Sequence, residues 1–292
     1  MQAISETLFD AVYLVTVITI GITMMIRGKG MKEFFLFGVM AVTLGFGDAF
    51  HLVPRTLALC TTGLESYTVW LGAGKWITSI TMTIFYILLY YVWRSRYQVK
   101  GAQGITAAVY ALAMLRIALC FFPQNQWLSA DAPLSWGIYR NIPFALLGLL
   151  IIFLFYRSAT QNQDKAYRFM WLTIVLSFVF YLPVVLWADA YPLIGMLMIP
   201  KTCAYVWMVL IGYSAMKKSC QMMQRTAARR AAVLFSKLIY QSSAIHFFAQ
   251  ENRRSDIGRN ATSPPCFKYI KVSIMSLSSS KAPARRSFRL RR

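Results

Sequence analysis

Asp48, His51 and Arg55 stand at i, i+3 and i+7 near the end of an apolar run that begins at Phe34. On a helix they share one face within about 60° of arc. An acid that orients an imidazole is the equipment of a general base. The same pair beside a guanidinium also makes a pH-sensitive anion site. At mid-bilayer each ionised group costs roughly 2.5–3.5 kcal/mol on insertion scales, so such groups face a protein interior and serve a purpose.

The elements that must carry these residues are membrane spans. Charged residues are 14% of the 292, against roughly 25% in an ordinary soluble domain, and mean hydropathy is +0.50. The formal charge of +21 is unevenly placed. Residues 1–218 hold 16 Lys and Arg against 8 acids, and residues 219–292 hold 15 against 2. The chain therefore divides into a mildly basic helical domain, residues 1–218, and a strongly basic tail, residues 219–292. That distribution gives no reason to expect nucleic acid on the helical domain. Five scattered cysteines without a CxxC pair and only two histidines leave no Cys/His metal site and imply no cofactor.

Seven apolar segments are long enough to span, at about residues 8–26, 34–54, 69–93, 104–122, 138–156, 169–189 and 193–216. The first is a true span, because Glu6 and Asp10 precede it where a signal peptide has basic residues. The predicted fold is all-α, a polytopic seven-helix membrane protein. Arg27, Lys29 and Lys32 follow span 1, Arg94, Arg96 and Lys100 follow span 3, Arg157, Lys165 and Arg168 follow span 5, and Lys217 and Lys218 follow span 7. The alternate connections carry Glu65, Asp131 and Asp189 instead. By the positive-inside rule the N-terminus is outside and the C-terminus inside.

Orientation gives every buried charge a depth. Asp48, His51 and Arg55 fall in the outer half of span 2. Lys75 lies about 9 Å below the start of span 3, Lys201 about 12 Å into span 7, and Arg116 about two turns below the outer end of span 4. Arg55, Arg140 and Asp189 are near helix ends, where snorkelling to the interface explains them. Lys75, Arg116 and Lys201 are deeper, and they outnumber Asp48 and its nearest helper Asp10. Ion pairing alone cannot settle that count, and a cation without a counter-charge in low dielectric neutralises or attracts an anion. The candidate binding set is therefore Asp48, His51, Arg55, Lys75, Arg116, Lys201 and Tyr205, the last on the face of Lys201. Asp48 and His51 are the candidate catalytic pair.

Pro54, Pro143, Pro183 and Pro200 all lie in outer halves, where a freed carbonyl suits a polar cavity. Gly45 and Gly47 suit close helix approach. Cys60 and Cys120 both fall on the outer side, which leaves a disulfide between them conceivable. The tail reads as largely disordered, with an apolar run over residues 231–249 suited to an interfacial helix on anionic lipid. His246, Cys266 and the sequon at Asn260 lie in it and carry no assigned chemistry.

The run Gly47-Asp48-Ala49-Phe50-His51-Leu52-Val53-Pro54-Arg55, together with Met198-Ile199-Pro200-Lys201-Thr202-Cys203-Ala204-Tyr205, resembles a group of small bacterial multi-span membrane proteins. The resemblance covers residues 1–218. It implies a multi-pass protein of the bacterial cytoplasmic membrane, and no biochemical role or functional residue comes with it. Microbial rhodopsins fit poorly, since span 3 holds Lys75 where they need a carboxylate. Ceramidase-type amidases need three histidines, and only His51 is available outside the tail.

The expected function is binding or transport of an anionic small molecule or lipid headgroup in an outer-half cationic pocket. The alternatives are a membrane-embedded hydrolase or transferase using Asp48 and His51, and a receptor-like accessory protein whose charges fix packing. Expected partners are membrane lipids, an anionic ligand and a cytoplasmic partner for the tail.

Overall fold

A computed structural model describes residues 2–257 apart from 29, 62, 64, 130, 131, 189 and 190, with backbone alone for 2–4, 192 and 243–257. Lys29, Asp131, Asp189, Asn260 and Cys266, and the side chain of His246, thus lie outside the described residues. Seven α-helices follow in order: α1 (Gln2–Arg27), α2 (Lys32–Cys60), α3 (Thr68–Arg96), α4 (Gln103–Phe121), α5 (Leu134–Gln161), α6 (Met170–Trp187) and α7 (Met198–Ile257). Short 3-10 turns at Glu65–Tyr67, Pro123–Asn125 and Pro192–Leu197 join them, and no strand occurs among the described residues. Seven of the described helices are long and apolar enough to cross a membrane, as a multi-pass membrane protein requires.

The chain divides into two units, Met1–Arg225 and Thr226–Arg292. The backbone of α7 is helical through Ile257, so the disorder expected of the tail bears only on residues 258–292, which are not described. In the first unit α3 packs against α2, α4 and α5, while α1 packs on α2 and α5 on α6. Phe37, Phe85, Tyr86, Leu89, Tyr90 and Phe155 fill the interior with no exposed surface.

Several helices outrun the expected spans. Pro54, Pro143 and Pro183 sit inside α2, α5 and α6 without ending them. Each proline removes one backbone donor, and the flanking turns keep theirs. Pro200 behaves differently from expectation. The chain forms a 3-10 turn over Pro192–Leu197, and α7 starts at Met198, so Pro200 falls in the first helical turn. There its missing N–H had no partner to lose, so Pro200 starts the helix and does not kink it. Cys60 and Cys120 are both free thiols, the first exposed and the second buried, which corrects the disulfide expectation.

At the end of the bundle where α3 finishes, one guanidinium ties three segments together. Arg96 Nε and Nη2 donate to Asp164 Oδ2 and Oδ1 at 2.8 and 3.0 Å, and Nη1 donates to Glu33 at 3.3 Å. The group also lies 4.7 Å over the Tyr167 ring. Asp164 further accepts the backbone N–H of Ala166 at 3.0 Å. Burial alone would raise the Asp164 pKa, but the hydrogen-bonded Arg96 and the backbone N–H groups outweigh it and hold the carboxyl below its usual range. A carboxyl whose folded pKa is depressed contributes stability above its unfolded pKa, roughly 3.9, and loses it as pH falls through the folded value. Melting temperature should therefore drop below about pH 4. Asp164→Asn should flatten that drop and cost about 2 kcal/mol at neutral pH, as loss of charged hydrogen bonds does. A variant with the wild-type acid profile would show that Asp164 is not the titrating group.

Candidate functional site

Close helix crossings bring the polar residues together. A Cβ on Gly45 would stand 2.7 Å from Ile18 of α1, and one on Gly47 would overlap Thr81 of α3. Only glycine lets α2 lie this near both neighbours. Thr78 Oγ1 donates to the Gly47 carbonyl at 3.0 Å across the α2–α3 crossing. On the other flank Tyr13, 2% exposed, donates its hydroxyl to Asp48 Oδ2 at 2.6 Å. One turn away on α1 lies buried Asp10, whose charged neighbours are Glu6, Arg55 and Asp48.

Asp48 interacts electrostatically with Lys201 of α7. The ammonium does not reach it as a close ion pair. Lys201 Nζ lies 4.4 Å from the Tyr181 ring centroid and 5.8 Å from that of Tyr205, and 4.0 Å from Met198 Sδ. Aromatic faces thus share its charge with the carboxylate. Beyond it stands Arg116 of α4, itself an electrostatic neighbour of Lys201. Arg116 is 2% exposed, and its Cζ lies 3.4 Å from the centre of the Phe144 ring on α5.

The surroundings of Arg116 decide what the site can do. Apart from Lys201, its polar neighbours Tyr86, Tyr181, Tyr205 and the Cys120 thiol are neutral groups. Nε and Nη1 have no hydrogen-bond partner among the described residues. Tyr181 is held by Asn141, accepting its hydroxyl at 3.0 Å, and Asn141 donates in turn to the Gly137 carbonyl at 2.8 Å. Around them Tyr86 packs edge-on against Phe144 and Phe178 at 5.0 and 5.8 Å. The result is a buried guanidinium in an aromatic and phenolic shell, two of whose nitrogens have no hydrogen-bond partner among the described residues.

The expected site residues therefore separate into two groups. Asp48, Lys201, Tyr205 and Arg116 form one connected line from α2 through α7 to α4. Arg55 has a protein partner, since its Nε donates to Glu6 at 2.5 Å. His51 has Lys75, Arg55 and Lys201 as charged neighbours and packs against the Leu71 carbonyl, while its Nδ1 has no hydrogen-bond partner among the described residues. With Asp48 engaged by Tyr13 and Lys201, the acid does not orient the imidazole as a catalytic pair would need. Lys75, expected to be deep, has an exposed side chain on α3, while Gly72 meets the Trp127 backbone and Gly74 the Phe50 and His51 backbone on opposite sides of that helix. Arg140 is also satisfied, by Asn125 at 2.9 Å and the Trp127 ring at 4.2 Å.

Sequence reasoning passed over Glu6, Tyr13, Tyr86, Asn141, Phe144 and Tyr181. Two of these carried a signal. Asn141 and Tyr181 each stand two residues before a helix proline, at Pro143 and Pro183, where polar side chains are unusual in apolar spans. The clefts at the Arg96 end, about 420 and 530 Å³, flank Asp164. Glu33, which marks that end, is fifteen residues before Asp48, or about 22 Å along α2, so the clefts are not this site. Among the described residues no three of His, Cys, Asp and Glu gather as metal ligands would.

No protein-family model, curated protein or solved structure matches the chain. Any functional reading therefore rests on the geometry.

Proposed function

We propose that this protein binds or transports an anionic small molecule or lipid headgroup at Arg116, Lys201, Tyr205 and Asp48, within a bacterial cytoplasmic membrane. The observation that carries the reading is Arg116, 2% exposed with Nε and Nη1 unpartnered among the described residues. A guanidinium withdrawn from water without a counter-charge pays a desolvation penalty of several kcal/mol. A carboxylate or phosphate oxygen would receive both donors and remove that penalty. Lys201 stands near enough to share the ligand charge, and Asp48 keeps the lysine in place while the site is empty.

The N-terminus is outside and the C-terminus inside in this reading. It is supported by Arg27 and Lys32, Arg94 and Arg96, Arg157 and Lys165, and Lys217 and Lys218, which all flank helix ends on one side of the seven-span order. The line of polar groups then lies in the outer half of the bilayer.

Native mass spectrometry of the purified protein tests this directly. An acidic lipid or a small anion should remain bound to wild type and be lost from Lys201→Met, and its mass tells the two ligand sources apart. Retention by Lys201→Met equal to wild type would sink the reading. His51→Ala should leave retention unchanged, because His51 is off the line from Asp48 to Arg116.

A further inference from the structure

A second feature is independent of the anion site and belongs to the basic extension of α7. Residues 217–242 contain Lys217, Lys218, Arg225, Arg229, Arg230 and Lys237 and no acid. The backbone is helical across them, so the side chains sort by angle. Leu234, Phe235, Leu238 and Ile239, with Ala227 and Ala231, occupy one arc of about 160°. Arg225, Arg229, Arg230 and Lys237 occupy the complementary arc, with Val233 and Tyr240 among them. The apolar arc is exposed among the described residues: Leu234 is 62% exposed, Phe235 66%, Leu238 64% and Ile239 52%.

We propose that residues 226–242 form an interfacial helix that lies on an anionic phospholipid surface. Three observations choose that occupant. The charge is single-signed, which suits a surface carrying anionic headgroups and repels a second copy of the same segment. The apolar arc holds bulky Leu, Phe and Ile beside the charges, the pattern of a helix immersed at the headgroup boundary. The segment also begins only eight residues after Lys218, which follows the last span, so it is tethered near the membrane surface. The tail thus gives the protein a second, charge-dependent hold on the membrane, and each Lys or Arg near such a surface strengthens it roughly fivefold.

Hydrogen exchange of the full chain in lipid nanodiscs tests this. With phosphatidylcholine alone, residues 226–242 should exchange as an exposed helix. With roughly 30 mol% phosphatidylglycerol, exchange there should slow about tenfold, and salt near 1 M should reverse the effect by cutting the screening length to about 3 Å. The pair Leu234→Gln and Leu238→Gln should abolish the protection while α1 to α6 exchange as in wild type, which shows that the bundle is folded. Equal exchange in neutral and anionic discs overturns the proposal. Protection that arises in neutral discs only when two chains share a disc also overturns it, and assigns the face to a second copy.

Discussion

Replacing Arg116 by methionine is expected to stabilise the ligand-free protein by about 1–3 kcal/mol, and to abolish retention of an anion. The sign follows from what surrounds the residue. Breaking a buried ion pair destabilises because a charge is left alone, but Arg116 pairs with no carboxylate among the described residues and stands among neutral phenols and a thiol. Its contact with the Phe144 ring at 3.4 Å returns about 2 kcal/mol or somewhat more in a desolvated site, against a desolvation penalty of several kcal/mol for a guanidinium. Methionine keeps the length, packs its sulfur against the same ring and carries no charge. In a thermal melt the gain should read as a rise of roughly 2–10 °C for a domain of this size. A drop of similar size would show that the guanidinium serves packing, and the binding reading would lose its main support. A functional residue that the fold would be more stable without is the pattern expected where stability and function conflict.

The membrane architecture was legible because a span needs little more than about twenty apolar residues between polar ends. The seven spans follow from that alone, with differences at their ends: the expected second span closes at residue 54, whereas α2 continues to Cys60. The sequence places Pro200 inside a span that starts at residue 193, whereas α7 begins only two residues before it.

The candidate site was legible only in part, for a different reason. Depth along a span can be counted from sequence, and it placed Asp48, Arg116 and Lys201 at compatible levels. The direction in which each helix turns cannot be counted, since lipid and interior are equally apolar and the hydrophobic pattern is nearly flat. Lys75 shows the consequence, being at the expected depth but with an exposed side chain. Tyr13 shows the converse. Nothing marks it among the apolar residues of α1, yet it supplies the closest hydrogen bond to Asp48, at 2.6 Å. The pairing of Arg55 with Glu6 is not visible in the sequence, where Glu6 lies ahead of the span and bears only on the question of a signal peptide.

Gly47→Ala should be among the most damaging small substitutions in the chain, costing about 3 kcal/mol. In a lone helix the same change gains nearly 1 kcal/mol, because alanine loses less backbone entropy. Here the added Cβ would overlap Oγ1, Cβ and Cγ2 of Thr81, and Thr81 is β-branched, with little rotamer freedom on a helix. Relief must come from the backbones, so α2 and α3 have to separate. Separation breaks the Thr78 hydrogen bond to the Gly47 carbonyl and moves Asp48, the next residue, relative to Tyr13. Overpacking of this kind costs typically 1–3 kcal/mol, and more when a backbone contact is lost with it. Gly104 provides the control, because a Cβ there meets no heavy atom within 4 Å, and Gly104→Ala should be neutral or slightly stabilising. The decisive test is the pair Gly47→Ala with Thr81→Gly. If the crossing is what matters, deleting the Thr81 side chain restores room for the new methyl group, and the double variant should be more stable than the sum of the two single losses by about 1–2 kcal/mol. Additive losses would mean that Gly47 matters for some property other than the approach of α2 to α3. Recovery of stability should bring recovery of anion retention, since the same approach sets the Asp48 carboxylate between Tyr13 and Lys201.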